Sequence, residues 1–251
     1  MLARDLAMAL DPVLFAIHAL GFRPDLSQAK VLRWTRQRLL LNCTRQWGKS
    51  TTASILALHQ ALYYPNSLIL LVSPSLRQSL ELFRKVTEFL NKLAIKPEKL
   101  EDSQFSLQLG NGSRMVALPG KEATVRGFSG VSLIIEDEAS RVDDLLYKSV
   151  RPMLAVSGGR LILMSTPYGK RGHFFEEWTT GGNSWERIEC KATDCARIPK
   201  QFLAEERASL GEWWFRQEYL CEFGETRDNV FSYDLIMKAI SDDVKPLFEG
   251  E

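Results

Sequence analysis

The chain has 251 residues, enough for one domain of above-average size or one domain with a small appendage. Its 32 Lys and Arg balance 31 Asp and Glu, so no domain-wide basic field is expected, and binding to free DNA should be weak and salt-sensitive. No apolar run is long enough to span a membrane, no signal-peptide pattern opens the chain, and the 4 Cys and 3 His lack metal-site spacing, which leaves reduced thiols as the simplest reading.

In chain order, the residues up to Leu20 predict an apolar helix. Leu26 to Gln37, entered after Pro24, predicts a second, whose basic cluster Lys30, Arg33, Arg36 and Arg38 reads as a solvated face. Leu39-Leu40-Leu41 is a short buried-type strand, and a helical pattern follows its loop from Thr51 to Leu62. Ser67 to Val72 reads as a buried strand. Ser75 to Leu93 reads as an amphipathic helix, with Leu76, Leu80, Phe83, Val86, Leu90 and Leu93 on one stripe. Phe105 to Leu109 alternates, Gly110-Asn111-Gly112 turns, and Arg114 to Leu118 returns, which predicts an antiparallel hairpin on the sheet edge. After a Gly-rich loop, Val131 to Ala139 is an apolar strand running into acids, and Arg160 to Pro167 is another strand. A helix near Phe174, a strand from Trp185 to Cys190, and helices from Pro199 and Gly211 complete the pattern. Alternating strand and helix predicts an α/β fold with a mostly parallel sheet flanked by helices. Trp213, Trp214, Phe215, Tyr219 and Phe223 favour an aromatic cap packed on the sheet over a ligand platform.

Three of these elements carry chemistry. The loop Cys43-Thr44-Arg45-Gln46-Trp47-Gly48-Lys49-Ser50-Thr51, between strand and helix, has the context of a P-loop. Gly48 lets the backbone approach phosphate, Lys49 reaches the β- and γ-phosphates, the Ser50 hydroxyl holds Mg²⁺, and the helix N-terminus faces the anion. Cys43 stands where the regular pattern has its first Gly. In Glu136-Asp137-Glu138, Asp137 is assigned to the metal and Glu138 to the attacking water, while three acids in a row leave a register shift open. Ser165-Thr166-Pro167 ends a strand where a crevice residue could sense the γ-phosphate, and is also ordinary turn chemistry.

The order of Thr44 to Thr51, Val72-Ser73-Pro74-Ser75, Val125-Arg126-Gly127-Phe128, Ile134 to Ala139, Arg151-Pro152-Met153-Leu154, Met164 to Gly169 and Gln217 to Phe223 resembles the ATPase domain of tailed-bacteriophage terminase large subunits. A degenerate first Gly is a habit of that family. The resemblance implies a RecA-like P-loop NTPase fold of the additional-strand (ASCE) type, with a strand inserted between the two nucleotide motifs. It implies a Mg²⁺-dependent ATPase that drives double-stranded DNA into a procapsid, with Ser165-Thr166-Pro167 as coupling motif and Gln28 as the adenine reader. Arg126 would act on a neighbouring subunit's ATP, with Arg45 as the competing finger in cis. It further implies a capsid portal and a small terminase subunit as partners, a homo-oligomeric ring on assembly, a monomer in isolation, and the host-cell cytoplasm. Residues 1–225 are expected to form the ATPase domain, 1–37 its N-terminal helices, and 226–251 a tail carrying Asp242, Asp243 and Glu249, too short for a nuclease domain. A helicase-like translocase and a nucleotide-gated interaction module are the alternatives. The first lacks room for a second RecA-like domain, and intact Lys49, Asp137 and Glu138 disfavour the second.

Overall fold

The computed structural model describes residues 2–119, 127–225 and 233–240. The apolar N-terminal stretch is two helices rather than one, α1 (Leu2–Leu10) and α2 (Pro12–Leu20). The break is local chemistry: the Asp11 carboxylate caps the Val13 N–H, and Pro12 sits at the first helical position. Helix α3 (Leu26–Leu32) opens with a reciprocal capping box between Asp25 and Gln28. It ends short of Gln37, because Trp34 turns into the core and the chain must extend to enter β1 (Arg38–Cys43).

The P-loop helix α4 (Lys49–Tyr63) leads to β2 (Leu68–Ser73) and the amphipathic α5 (Leu76–Lys92). Then come β3 (Lys99–Asp102), β4 (Ser106–Leu109) and β5 (Arg114–Pro119). The second half runs β6 (Leu133–Asp137), α6 (Asp144–Val150), β7 (Arg160–Ser165), α7 (Gly172–Thr179), β8 (Trp185–Cys190), α8 (Lys200–Leu210) and α9 (Glu212–Tyr219). Helix α10 (Tyr233–Ala239) follows.

The strands form one eight-stranded sheet in the order β3-β4-β5-β2-β6-β7-β1-β8. Every pairing from β5 to β8 is parallel, and β3-β4-β5 is an antiparallel run. The expected hairpin lies in this antiparallel run at the sheet edge, with one further strand outside it. β5 joins β2 in parallel, and β3 lies outermost. β3 reads Lys-Leu-Glu-Asp and is exposed throughout, so no apolar alternation marks it, and its charges suit an edge. β7 lies between β1 and β6, which is the inserted strand expected between the two nucleotide motifs.

The sheet is buried on both faces, which is why its strands read as continuous apolar runs. Leu39, Leu41, Ile69, Leu71, Leu133 and Ile135 face the layer of α2, α4 and α5. Leu40, Leu70, Val72, Ile134, Leu161 and Leu163 face α6 and α7. This alternation sends neighbouring residues at the strand ends to opposite layers. Of the expected cap, Phe223 packs against Phe174, Phe175 and Trp178 in the sheet's core, whereas Phe215 and Tyr219 form a separate cluster with Leu203 of α8, and Trp213 and Trp214 meet edge to face.

Candidate active site

The carboxyl ends of β1, β6 and β7 meet at one edge of the sheet, where ligands bind in open α/β folds. Between Cys43 and Lys49 the loop uses two left-handed residues, Gln46 (φ +63°) and Gly48 (φ +99°). Cys43 ends β1 as a regular buried strand residue, so its position makes no demand for Gly. Gly48 does: besides its φ, a Cβ there would lie 2.9 Å from Gln28 Nε2. No side chain caps α4, so the N–H groups of its first turn are left for an anion.

Lys49 is buried, its Nζ donating to the carbonyls of Cys43 (2.8 Å) and Thr44 (3.2 Å) within its own loop. Thr44 Oγ1 donates to the Glu218 carbonyl at 3.0 Å. Trp47 is fully buried and its indole N–H reaches Ser27 Oγ at 2.9 Å, which makes it the loop's anchor in the core. Its carbonyl accepts from Gln28 Nε2 (2.9 Å) and Arg197 Nη2 (2.6 Å), and Arg197 is tied in turn to Asp25. Gln28 thus lies against the loop, with both ends of its amide bonded within the protein. Thr51 follows Ser50 on α4, half-buried.

Strand alternation separates the three acids. Asp137 shares the face of Leu133 and Ile135, toward α4, and its Oδ2 accepts from Ser50 Oγ at 3.2 Å. The side chains assigned to the metal are therefore adjacent. Burial, then the neighbouring Glu138 charge, push the Asp137 carboxyl up to about 6, against Lys49 and its hydrogen bonds. A group so placed favours a nearby cation. Glu138 leaves the strand at φ +54°, half-buried, with its backbone N–H on Asp137 Oδ1 at 3.0 Å. Glu136 points to the opposite layer, fully buried, with Oε1 2.6 Å from His173 Nε2. It does not reach the P-loop side.

Ser165 lies opposite Asn42 in the β1–β7 register. Its hydroxyl is 2.7 Å from Ser140 Oγ, which also donates to the Thr166 carbonyl at 2.8 Å. Ser165, Thr166 and Pro167 are buried. The segment after β7 is thus stapled to the turn after Glu138. Arg45 is exposed but engaged, its Nε donating to Glu218 Oε2 at 2.6 Å. Arg141 stands 3.8 Å from the other Glu218 oxygen and 3.9 Å from Glu138 Oε2. Arg126 lies outside the described residues.

Sequence reasoning missed Arg141, Arg197 and Glu218. Arg141 follows Glu138 by one helical turn, and Glu218 lies in the Gln217 to Phe223 segment, so both had a signal. Arg197 lies in a loop without pattern, and only the return of the chain after β8 brings it to Trp47.

Residues 40–238 match the family described as terminase large subunit, T4-like-virus type, N-terminal. Among curated proteins, the chain is similar to the terminase large subunit of Thermus virus P23-45. The two are 27% identical over 248 residues, covering 85% of this chain and 51% of that protein. The chain spans about half the length of the curated relatives it matches. Among solved structures it is similar to the large terminase ATPase domain of Thermus phage P74-26, with TM-score 0.76 and 23% identity, covering 86% of this chain and 100% of that one. It is also similar to the large terminase of a thermophilic bacteriophage solved in complex with ADP, with TM-score 0.67 and 12% identity over 80% of this chain and 54% of that one. At these identities the structural likeness speaks to the fold, which is RecA-like.

Proposed function

Because the chain belongs to the T4-like-virus-type terminase large subunit family, in its N-terminal part, we propose that it is the ATP-hydrolysing motor part of a viral DNA-packaging terminase. The observation that carries the reading is the 3.2 Å contact between Ser50 and Asp137, which joins the P-loop helix to the acidic strand end beside Lys49 and Glu138. Two hard oxygen ligands, one buried and anionic, fit a magnesium ion that keeps most of its water. Ser50 and Asp137 would hold the ion, which would supply charge neutralisation to the phosphates.

The protein's own groups do the rest. The open N–H groups of α4 bind the phosphates, and Lys49 exchanges its two loop carbonyls for phosphate oxygens. Glu138 orients the attacking water and takes its proton, while the new P–O bond forms and ADP departs. Arg45 reaches the γ-phosphate side only if its pair with Glu218 opens. Gln28 serves the adenine by releasing the Trp47 carbonyl, and Ser165 to Pro167 report phosphate loss through Ser140. Double-stranded DNA, a capsid portal, a small terminase subunit and a ring of copies are the proposed partners, in the cytoplasm of the host cell. No described helix is long and apolar enough to cross a membrane.

The test measures binding of a fluorescent ATP analogue and phosphate release. Lys49→Ala should weaken binding and lower turnover by roughly 10²–10³-fold, the scale of losing one electrostatic stabiliser. Unchanged binding and turnover would remove the assignment.

A further inference from the structure

His173 has no part in the nucleotide chemistry above, yet both of its ring nitrogens are engaged. It is the second residue of α7, directly after the segment that begins at Ser165, and is 3% exposed. Its Nε2 lies 2.6 Å from Glu136 Oε1, and its Nδ1 lies 2.9 Å from Asp144 Oδ1. The same Asp144 oxygen accepts the His173 backbone N–H at 2.7 Å. The ring stacks on Tyr147 with centroids 4.3 Å apart and planes 9° from parallel. Tyr147 closes the arrangement by donating to Glu177 of α7 at 2.6 Å.

Two features make this more than packing. First, ionised carboxylates only accept, so an imidazole bonded to two of them must carry both ring protons and a positive charge. Burial lowers the ring's pKa, and the bonds to Glu136 and then Asp144 outweigh it and raise the pKa above the ordinary value. Second, the elements it joins flank the strand end that carries Asp137 and Glu138. Glu136 precedes Asp137 on β6, with its backbone held between Val72 of β2 and Leu163 of β7. Its other oxygen has no partner, so His173 is its single hydrogen-bonding anchor among the described residues. Asp144 opens α6, which follows the turn containing Glu138 and Ser140.

We infer that His173 is a positioning residue: the Glu136–His173–Asp144 clamp fixes the Asp137–Glu138 strand end against α6 and α7 and passes its displacement to the segment beginning at Ser165. The inference rests on the ATPase reading and adds a second tie, on the opposite face of the sheet from the nucleotide, to the Ser140–Ser165 staple. A displaced β6 end would spoil the aim of Glu138 at water while leaving the P-loop intact. The loss should therefore fall on turnover and spare binding.

The experiment uses the full chain and two readouts, affinity for a fluorescent ATP analogue and steady-state phosphate release with its kcat and KM. His173→Gln donates to one carboxylate only. It should lower kcat at least 10-fold while analogue affinity stays within about 2-fold. Glu136→Gln combined with His173→Gln restores a neutral hydrogen-bonded pair and should recover part of the lost kcat. Asp144→Asn keeps an acceptor oxygen but removes the charge at the solvent-facing end, and should lower kcat about 3-fold. It keeps the test decisive if His173→Gln does not fold. Wild-type kcat in folded His173→Gln or Asp144→Asn overturns the inference. So does a parallel loss of affinity, kcat and thermal stability without recovery in the double variant, which marks a purely structural clamp. An unsubstituted chain that neither binds the analogue nor releases phosphate overturns the ATPase reading, and this inference with it.

Discussion

Glu136, Asp137 and Glu138 are chemically near-identical neighbours, and the pleat of β6 gives them different surroundings. Asp137 turns to Ser50, Glu136 turns to His173 on the other face, and Glu138 sits at φ +54° where the strand has ended. The open register of the sequence reading is thereby narrowed by geometry, since Glu136 is walled off from the P-loop side. Glu138→Gln should keep nucleotide binding and lower turnover by about 10²–10⁴-fold, the range for a lost general base. Glu136→Gln, measured beside it by phosphate release, should cost less and retain measurable activity. If Glu136→Gln is the dead variant and Glu138→Gln is active, the assignment of the water-activating residue is reversed.

Among elements, β6 and β7 with the turns that follow them are tied into one unit through Ser140, Ser165 and His173. The His173 clamp gives this unit a pH dependence whose sign follows from the raised pKa. The groups facing the ring are Glu136 from β6 and Asp144 and Tyr147 from α6, with Glu177 of α7 beyond Tyr147. A histidine whose folded pKa is raised contributes stability fully present below its ordinary value of 6.5 and lost as pH rises through the folded value. The difference in Tm between the parent and His173→Gln should therefore be largest below that value and shrink toward alkaline pH. A difference independent of pH would show that the ring is not charged in the fold. At the other end of β7, Gly159 lies so close to the segment leading into β6 that a Cβ would run into the Val131 carbonyl. Gly159→Ala should destabilise by about 1–3 kcal/mol in urea unfolding, the cost of overpacking a site that cannot yield. An unchanged unfolding midpoint would show that the loop shifts freely.

At the scale of the whole molecule, two arginines are the proposed candidates for the γ-phosphate side of the site. Arg45 is present in cis but paired to Glu218. Arg126 is proposed to serve a neighbour. Arg126→Ala and Glu138→Gln chains should each be inactive alone, and mixed rings should regain ATPase where an intact Glu138 meets a neighbour's Arg126. An arginine finger is worth about 10³–10⁵ in rate, so recovery should be unmistakable. No recovery in rings shown to be mixed would return the role to Arg45. The nucleotide-facing half of this molecule was legible in the chain because its signals are local. The strand–loop–helix around Gly48-Lys49-Ser50, the apolar runs ending in Asp137 and in Ser165, and the alternation that predicts a parallel sheet each lie within one contiguous segment. Sequence alone did not set the break at Asp11, the end of α3 or the exposed strand β3, where capping, core burial and edge pairing override or hide the pattern. Nor could it bring Arg197 to Trp47, Glu218 to Arg45 or His173 between Glu136 and Asp144. Those contacts join residues far apart in sequence, and only the order of the strands in the sheet decides which chain ends meet.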